Sequence, residues 1–195
     1  MIIMATVALF ACNKNDNVYL ENHDSDRMMD SMHAMMAKMD TMPMTNDPEI
    51  DFANMMIIHH EGAISMANLE LQEGKNDSLK NIAQMIIDVQ QNEIQELTTI
   101  LSSLSVDNID SSFTMEQQMN MEKMGKVADE QLITGDIDND FATLMIVHHQ
   151  GASDNAAAYL HHGNNEELIP KAHDMIDMQT REITELSSWL KTNRR

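Results

Sequence analysis

Two histidine pairs, His59-His60 and His148-His149, sit in nearly identical surroundings, MIIHHEGA and MIVHHQGA. Neutral imidazole is a borderline ligand that suits copper, zinc and iron. The chain also holds 21 methionines, and thioether sulfur is a soft donor that favours copper(I) and, by the same chemistry, silver(I). Eight of them, Met28, Met29, Met32, Met35, Met36, Met39, Met42 and Met44, crowd one segment together with His33, and Met115, Met119, Met121 and Met124 form a second group. Methionine also fills irregular cores. A core builder would mix in leucine and isoleucine, and residues 28–44 contain neither. Spacings such as Met28/Met32/Met35/Met39 and Met29/Met32/Met36 fall at helical intervals. Met28, Met32, His33, Met35, Met36 and Met39 are therefore candidate soft-metal ligands on a flexible acquisition arm.

The elements that must position the histidines come from a duplication. Asp140-Phe141-Ala142 follows Asp51-Phe52-Ala53 at an offset of 89 residues (140 − 51 = 89), and the same offset pairs Leu79 with Leu168, Ile87 with Ile176 and Leu101 with Leu190. Such persistence marks a repeated unit. Each unit reads as a helical hairpin. Asp47-Pro48-Glu49 supplies an N-cap, a proline at the first helical position and an acidic first turn. The helix then runs to Glu73 and stops at Gly74, whose φ freedom suits a helix end. A second helix is expected over residues 78–104. In the other unit, helices are expected over residues 137–162 and 166–191. Two hairpins bury four apolar stripes most simply as a four-helix bundle. The chain divides into a signal segment (1–12), a polar tether (13–26), a Met-rich helix (27–46), hairpin one (47–104), a linker with a second Met-rich helix (105–136) and hairpin two (137–195). The four stripes should close without the first Met-rich segment.

On a helical wheel Phe52, Met56, Ala63 and Ala67 share one face, and His59 and His60 straddle it. On the partner helix, Gln90 and Glu93 fall inside the stripe of Ile82, Ile86, Val89, Leu97 and Ile100. His148, His149, Gln179 and Glu182 repeat the pattern. Buried polar groups must pair with one another or bind something. Two readings stay open here: a closed His/Gln/Glu network, or a metal site.

The formal charge of −20 repels nucleic acid and anionic lipid and favours cations. The apolar run ending Leu9-Phe10-Ala11-Cys12 is too short to span a bilayer as a helix but suits a signal peptide. It resembles a bacterial lipobox, in which Cys12, the only cysteine, would be acylated and would tie the exported chain to a membrane. A periplasmic or outer-membrane lipoprotein is expected.

The MIIHHEGAISMA and MIVHHQGASDNAA segments, each followed by a Q-x-x-E-I helix, resemble the bacterial family called domain of unknown function 305. The resemblance spans residues 47–191. It implies an all-α, ferritin-like four-helix bundle, and some members are periplasmic copper-binding proteins. Carried over by position, the signature residues are Asp51, Phe52, His59, His60, Met66, Gln90 and Glu93, with Asp140, Phe141, His148, His149, Gln179 and Glu182. The second copy has Leu144 and Asn155 where the first has Met55 and Met66.

The expected function is extracytoplasmic binding of copper(I) or silver(I) for buffering, tolerance or transfer to a protein partner, without catalysis. His59, His60 and Met66 lead the core ligands, followed by Met55, Asp51, Glu93, His148, His149 and Glu182. Zinc ranks behind copper because no thiolate remains once Cys12 is acylated. Iron and a ferritin-like redox enzyme also rank behind, because such bundles use Glu-x-x-His and the chain has none. An envelope structural lipoprotein with a metal-free core network is the alternative.

Overall fold

The computed structural model describes His23 and residues 26–193. Cys12, the signal segment and nearly all of the tether lie outside the described residues. The described chain forms six helices: α1 (Arg27–Asp40), α2 (Pro48–Glu73), α3 (Asp77–Leu101), α4 (Ser111–Asp129), α5 (Ile137–His162) and α6 (Leu168–Thr192). Among the described residues there is no strand, and no helix is long and apolar enough to cross a membrane.

The expected hairpins are present, with α2 packed on α3 and α5 on α6. The helices form the expected all-α bundle, and the Met-rich helices take part in closing it. α2 and α5 meet at the centre, α3 and α6 barely touch, and α1 and α4 cover the opposite side by packing on α2 and α5. The reason lies in the two central helices. Phe52, Met56, Ala63 and Ala67 are buried as the wheel requires, but so are Met55, Gly62, Met66 and Leu69 around the rest of α2. A helix apolar on every side needs neighbours on every side. α1 supplies one with Met28, Met29, Met32, Met35 and Met39, all buried. The Met-rich segment is thus a packed wall and not a flexible arm, and without it one face of α2 would be bare.

The duplication therefore covers three helices per unit. Met32, Met35 and Asp40 of α1 match Met121, Met124 and Asp129 of α4 at the same offset. Before each central helix Thr-x-Asp recurs with a left-handed residue in the middle, Asn46 at φ 61° and Gly135 at φ 71°. Those are the residue types that tolerate this region. The turn wraps the chain around a carboxylate: Thr45 and Asn46 donate to Asp51, and Thr134 donates to Asp140.

Gly74 ends α2 in extended conformation (φ −60°, ψ 156°), so φ freedom is not its role. A Cβ there would collide with the Glu70 carboxyl, as one on Gly163 would with the Tyr159 ring. Close approach also explains Gly62, where a Cβ would lie 2.5 Å from Met35 Sδ and 3.0 Å from Met35 Cβ; Gly151 meets Met124 in the same way. Gly62→Ala should gain about 1 kcal/mol of helix propensity but lose about 1–3 kcal/mol to overpacking against α1. A net fall in stability is expected in urea unfolding. A more stable Gly62→Ala protein would show that α1 yields freely.

Candidate functional site

Four imidazoles occupy the centre of the bundle, and His59, His60, His148 and His149 are all fully buried. They are there because the histidine pairs fall on the sides of α2 and α5 that face one another and face α3 and α6. The His59 and His148 rings meet across the pseudo-twofold axis with centroids 3.6 Å apart, tilted by 48°. His148 Nε2 donates to the His59 carbonyl oxygen at 3.0 Å. Burial, reinforced by the other histidines, pushes both imidazoles well below their ordinary range, so both are neutral.

His60 and His149 turn outward to α3 and α6. His60 Nε2 lies 3.0 Å from Glu93 and His149 Nε2 lies 2.8 Å from Glu182. These contacts are close, but the ring N–H does not align with the carboxylate well enough for a good hydrogen bond. Gln90 and Gln179 are buried beside them. Among the described residues no group of three or more His, Cys, Asp or Glu side chains is arranged to hold a metal ion. Asp51, a candidate ligand, has both oxygens engaged: Oδ1 accepts from the Thr45 amide and hydroxyl, and Oδ2 from the Asn46 amide and Thr114 hydroxyl. It anchors α4 and the turn before α2.

Sulfur gathers elsewhere. A cleft of about 480 Å³ opens between α1 and α4, lined by Met32, Met36, Met39, Met42, Met44, Met55 and Met121. His33, Asp40, Glu122 and Asp129 also line it, and His33 Nε2 lies 2.9 Å from Asp129. Four equivalent pairs line the cleft, Met32/Met121, His33/Glu122, Met36/Gly125 and Asp40/Asp129, so it straddles the pseudo-twofold axis. Met32, His33, Met36, Met39 and Met55 of the expected ligands come together here. Met28 and Met35 do not line the cleft; Met35 packs on Gly62. Met66 is fully buried away from the cleft, and Asn155, at its position in the second unit, donates to Met121 Sδ at 3.0 Å. Met42, Met44 and Met121 join the lining without having been among the expected ligands. The repeat carried upstream of Asp47 pairs Met32 with Met121 and would have pointed to the last of these.

The donor set suits a soft monovalent ion. Seven thioethers and one imidazole at a cleft wall match copper(I) or silver(I), and add little for zinc or magnesium. Fold and site together define a class: an all-helical duplicated bundle with a buried imidazole core and a thioether-lined cleft. The chain belongs to the family described as Domain of unknown function (DUF305), whose model matches residues 9–101 and 49–190. Solved structures of CopM are similar to it. The apo form is 26% identical with a TM-score of 0.57, and the Cu(I)-bound form is 25% identical with a TM-score of 0.56. The Ag-bound form obtained by soaking is 25% identical with a TM-score of 0.56. Each match covers 75% of this chain and 98% of that one. A comparison with the curated proteins finds no match.

Proposed function

We propose that this protein binds copper(I), or silver(I), in the cleft between α1 and α4 and holds it outside the cytoplasm for buffering, tolerance or transfer, without catalysis. The observation that carries this reading is the convergence of seven methionines on one cleft with His33 at its edge. The likeness to CopM, solved in Cu(I)-bound and Ag-bound forms, supports the choice of metal. The lipobox-like Leu9-Phe10-Ala11-Cys12 supports export and a lipid anchor. Several cleft sulfurs would supply the ligands, in low-coordinate geometry, with His33 as the one nitrogen donor.

The four core histidines take a different part in this reading. His60 and His149 lie close to Glu93 and Glu182 across the hairpins, His148 donates to the His59 carbonyl, and among the described residues no third carboxylate, thiolate or imidazole completes a metal-holding group with them. In this reading their packing, with the one bond from His148 to the His59 carbonyl, fixes the register of the central helices.

The test is a titration of the reduced protein with copper(I) against a chelator, with and without excess zinc. Stoichiometric copper that resists zinc is expected, since thioethers contribute little to zinc binding. No copper binding, or displacement by modest zinc, would sink the proposal.

A further inference from the structure

His162, the last residue of α5, stands between two carboxylates. Its Nδ1 lies 2.8 Å from Asp110 Oδ2 and its Nε2 lies 3.1 Å from Glu116 Oε2. A neutral imidazole carries one N–H and an imidazolium carries two. Only the imidazolium can donate to both carboxylates at once. The C-terminal end of a helix also favours a cation.

Both carboxylates belong to the start of α4. Asp110 is the N-cap, accepting from the Ser112 and Phe113 amides and the Ser112 hydroxyl, and its own amide donates to the Asn46 carbonyl at 2.7 Å. Glu116 is in the next turn. The Phe113 ring lies 5.8 Å from the imidazole. At the same end of the bundle Glu49 of α2 accepts from the Asn164 amide and Asp47 from the Asn108 amide. Tyr159, which also packs on Phe113, and His161 are the other titratable residues in the last turn of α5.

The first unit has a counterpart at the same offset. Glu73 ends α2 where His162 ends α5, and Arg27 opens α1 where Glu116 stands on α4; Glu73 and Arg27 form an ion pair. Both units therefore tie the start of a covering helix to the end of a central one. The polarity is reversed, and only the second tie contains a group that titrates near neutrality.

We propose that His162 is a pH-sensitive latch that seats the first turns of α4 while protonated and frees them on losing its proton, so that one wall of the cleft loosens as pH rises. The hydrogen bond to Asp110 is the largest influence and raises the imidazole above its ordinary value; burial opposes it, and the Glu116 bond and the two carboxylate charges add to the rise. The latch therefore holds below that raised value and opens as pH climbs through it. Gln117, Gln118 and Met121, which line the cleft, follow directly on α4. The consequence for bound metal rests on the proposed copper(I) site; the latch itself does not.

The experiment is hydrogen exchange by mass spectrometry on the metal-free full chain at about pH 6 and about pH 8.5, corrected for intrinsic exchange. Protection of residues 111–121 should fall about tenfold at the higher pH, while residues 27–40, held by Arg27–Glu73, stay unchanged. His162→Glu combined with Glu116→Arg installs the first unit's pair and should remove the pH dependence. His162→Gln should leave α4 loosened at both pH values. A wild-type α4 indifferent to pH would overturn the latch, as would pH dependence that survives the double exchange. Should the double variant not fold, His162→Gln decides, and wild-type protection of α4 at about pH 6 in that protein overturns the latch. Copper(I) titration of the wild type keeps the two ideas apart, because missing copper sinks the cleft reading and leaves the exchange result standing.

Discussion

Replacing Met32 and Met121 together by leucine is expected to lower copper(I) affinity about 100-fold, close to 3 kcal/mol, while the bundle stays folded. The two residues are equivalent positions facing one cleft from α1 and α4, and both are buried. Leucine conserves volume and apolarity, so each exchange should cost less than about 1.5 kcal/mol of stability. It removes the sulfur and nothing else of consequence, because Asn155, which donates to Met121, keeps its bond to the Gly151 carbonyl. The control is Met29→Leu with Met56→Leu, buried methionines that do not line the cleft. Chelator competition under reducing conditions reads the affinity, and a thermal melt reads the fold. Affinity within about threefold of wild type in the Met32/Met121 variant would reduce the cleft to packing.

Stability should peak near pH 6.5 and fall on both sides, with Glu70 and the His162 tie both contributing to the alkaline limb. Glu70 is fully buried, and no donor reaches either of its oxygens. Its neighbour is Asp138, whose Oδ1 already accepts from the Lys75 and Asn76 amides. Burial, and then the Asp138 charge and hydrogen bond, raise the Glu70 carboxyl to about 8, with Asp136 adding to the effect and Lys80 opposing it. The folded state thus keeps a proton that the unfolded chain releases near the ordinary value of 4.5. That contribution is complete below the unfolded value and is lost as pH rises toward 8, at up to about 1.4 kcal/mol per pH unit. His59 and His148 act in the other direction. Held neutral when folded, they take up protons only on unfolding, so stability falls as pH drops below about 6.5, at up to about 2.7 kcal/mol per unit for the pair. The two imidazoles outweigh the single carboxyl there, which places the maximum near pH 6.5. Glu70→Gln supplies an amide donor to Asp138 at every pH. It should raise the melting temperature by several degrees at about pH 9 and flatten the alkaline limb, with no gain at about pH 5. An unchanged alkaline slope in that variant would show that Glu70 ionises freely in the folded protein. The equivalent position in the other unit is Tyr159, a phenol that stays protonated across this range, so both units bury an O–H bearing group at that place.

Much of the hairpin architecture was legible. Asp47-Pro48 marks the start of α2 and Gly74 follows its last residue, Glu73, and the repeat carries the same bounds over to α5 at residues 137–162. Gly74 serves close approach and not φ freedom, because a collision with a side chain four residues back leaves no local trace in the sequence. The coverage of α2 and α5 was not read. Burial on every face weakens the periodic signal that a wheel exploits, and MIIHHEGAISMA hides its second face behind methionine and glycine. The histidines lie in the core as the wheel places them, whereas Glu93 and Glu182 sit half-buried at its edge, and only rotamers and distances show each beside one histidine. The cleft was half legible. Met32, Met36, Met39 and His33 stood out by composition, but Met42 and Met44 lie in the turn after α1, where no helical interval applies.

The straddling of the axis by the cleft has a consequence for how two copies of one unit can diverge. A site on a twofold axis between identical subunits must present each ligand twice, and a single small ion has no use for the duplicates. Joining the subunits in one chain lifts that symmetry. Here Met36, Met39, Met42, Met44 and Met55 stand opposite Gly125, Ala128, Gln131, Ile133 and Leu144 at the equivalent positions, and only Met32 finds a matching thioether in Met121. One half has kept the donors and the other has become their backing. A dimer assembled from two second units would have almost no sulfur to offer at the equivalent cleft, while a dimer of two first units would crowd a dozen thioethers about it.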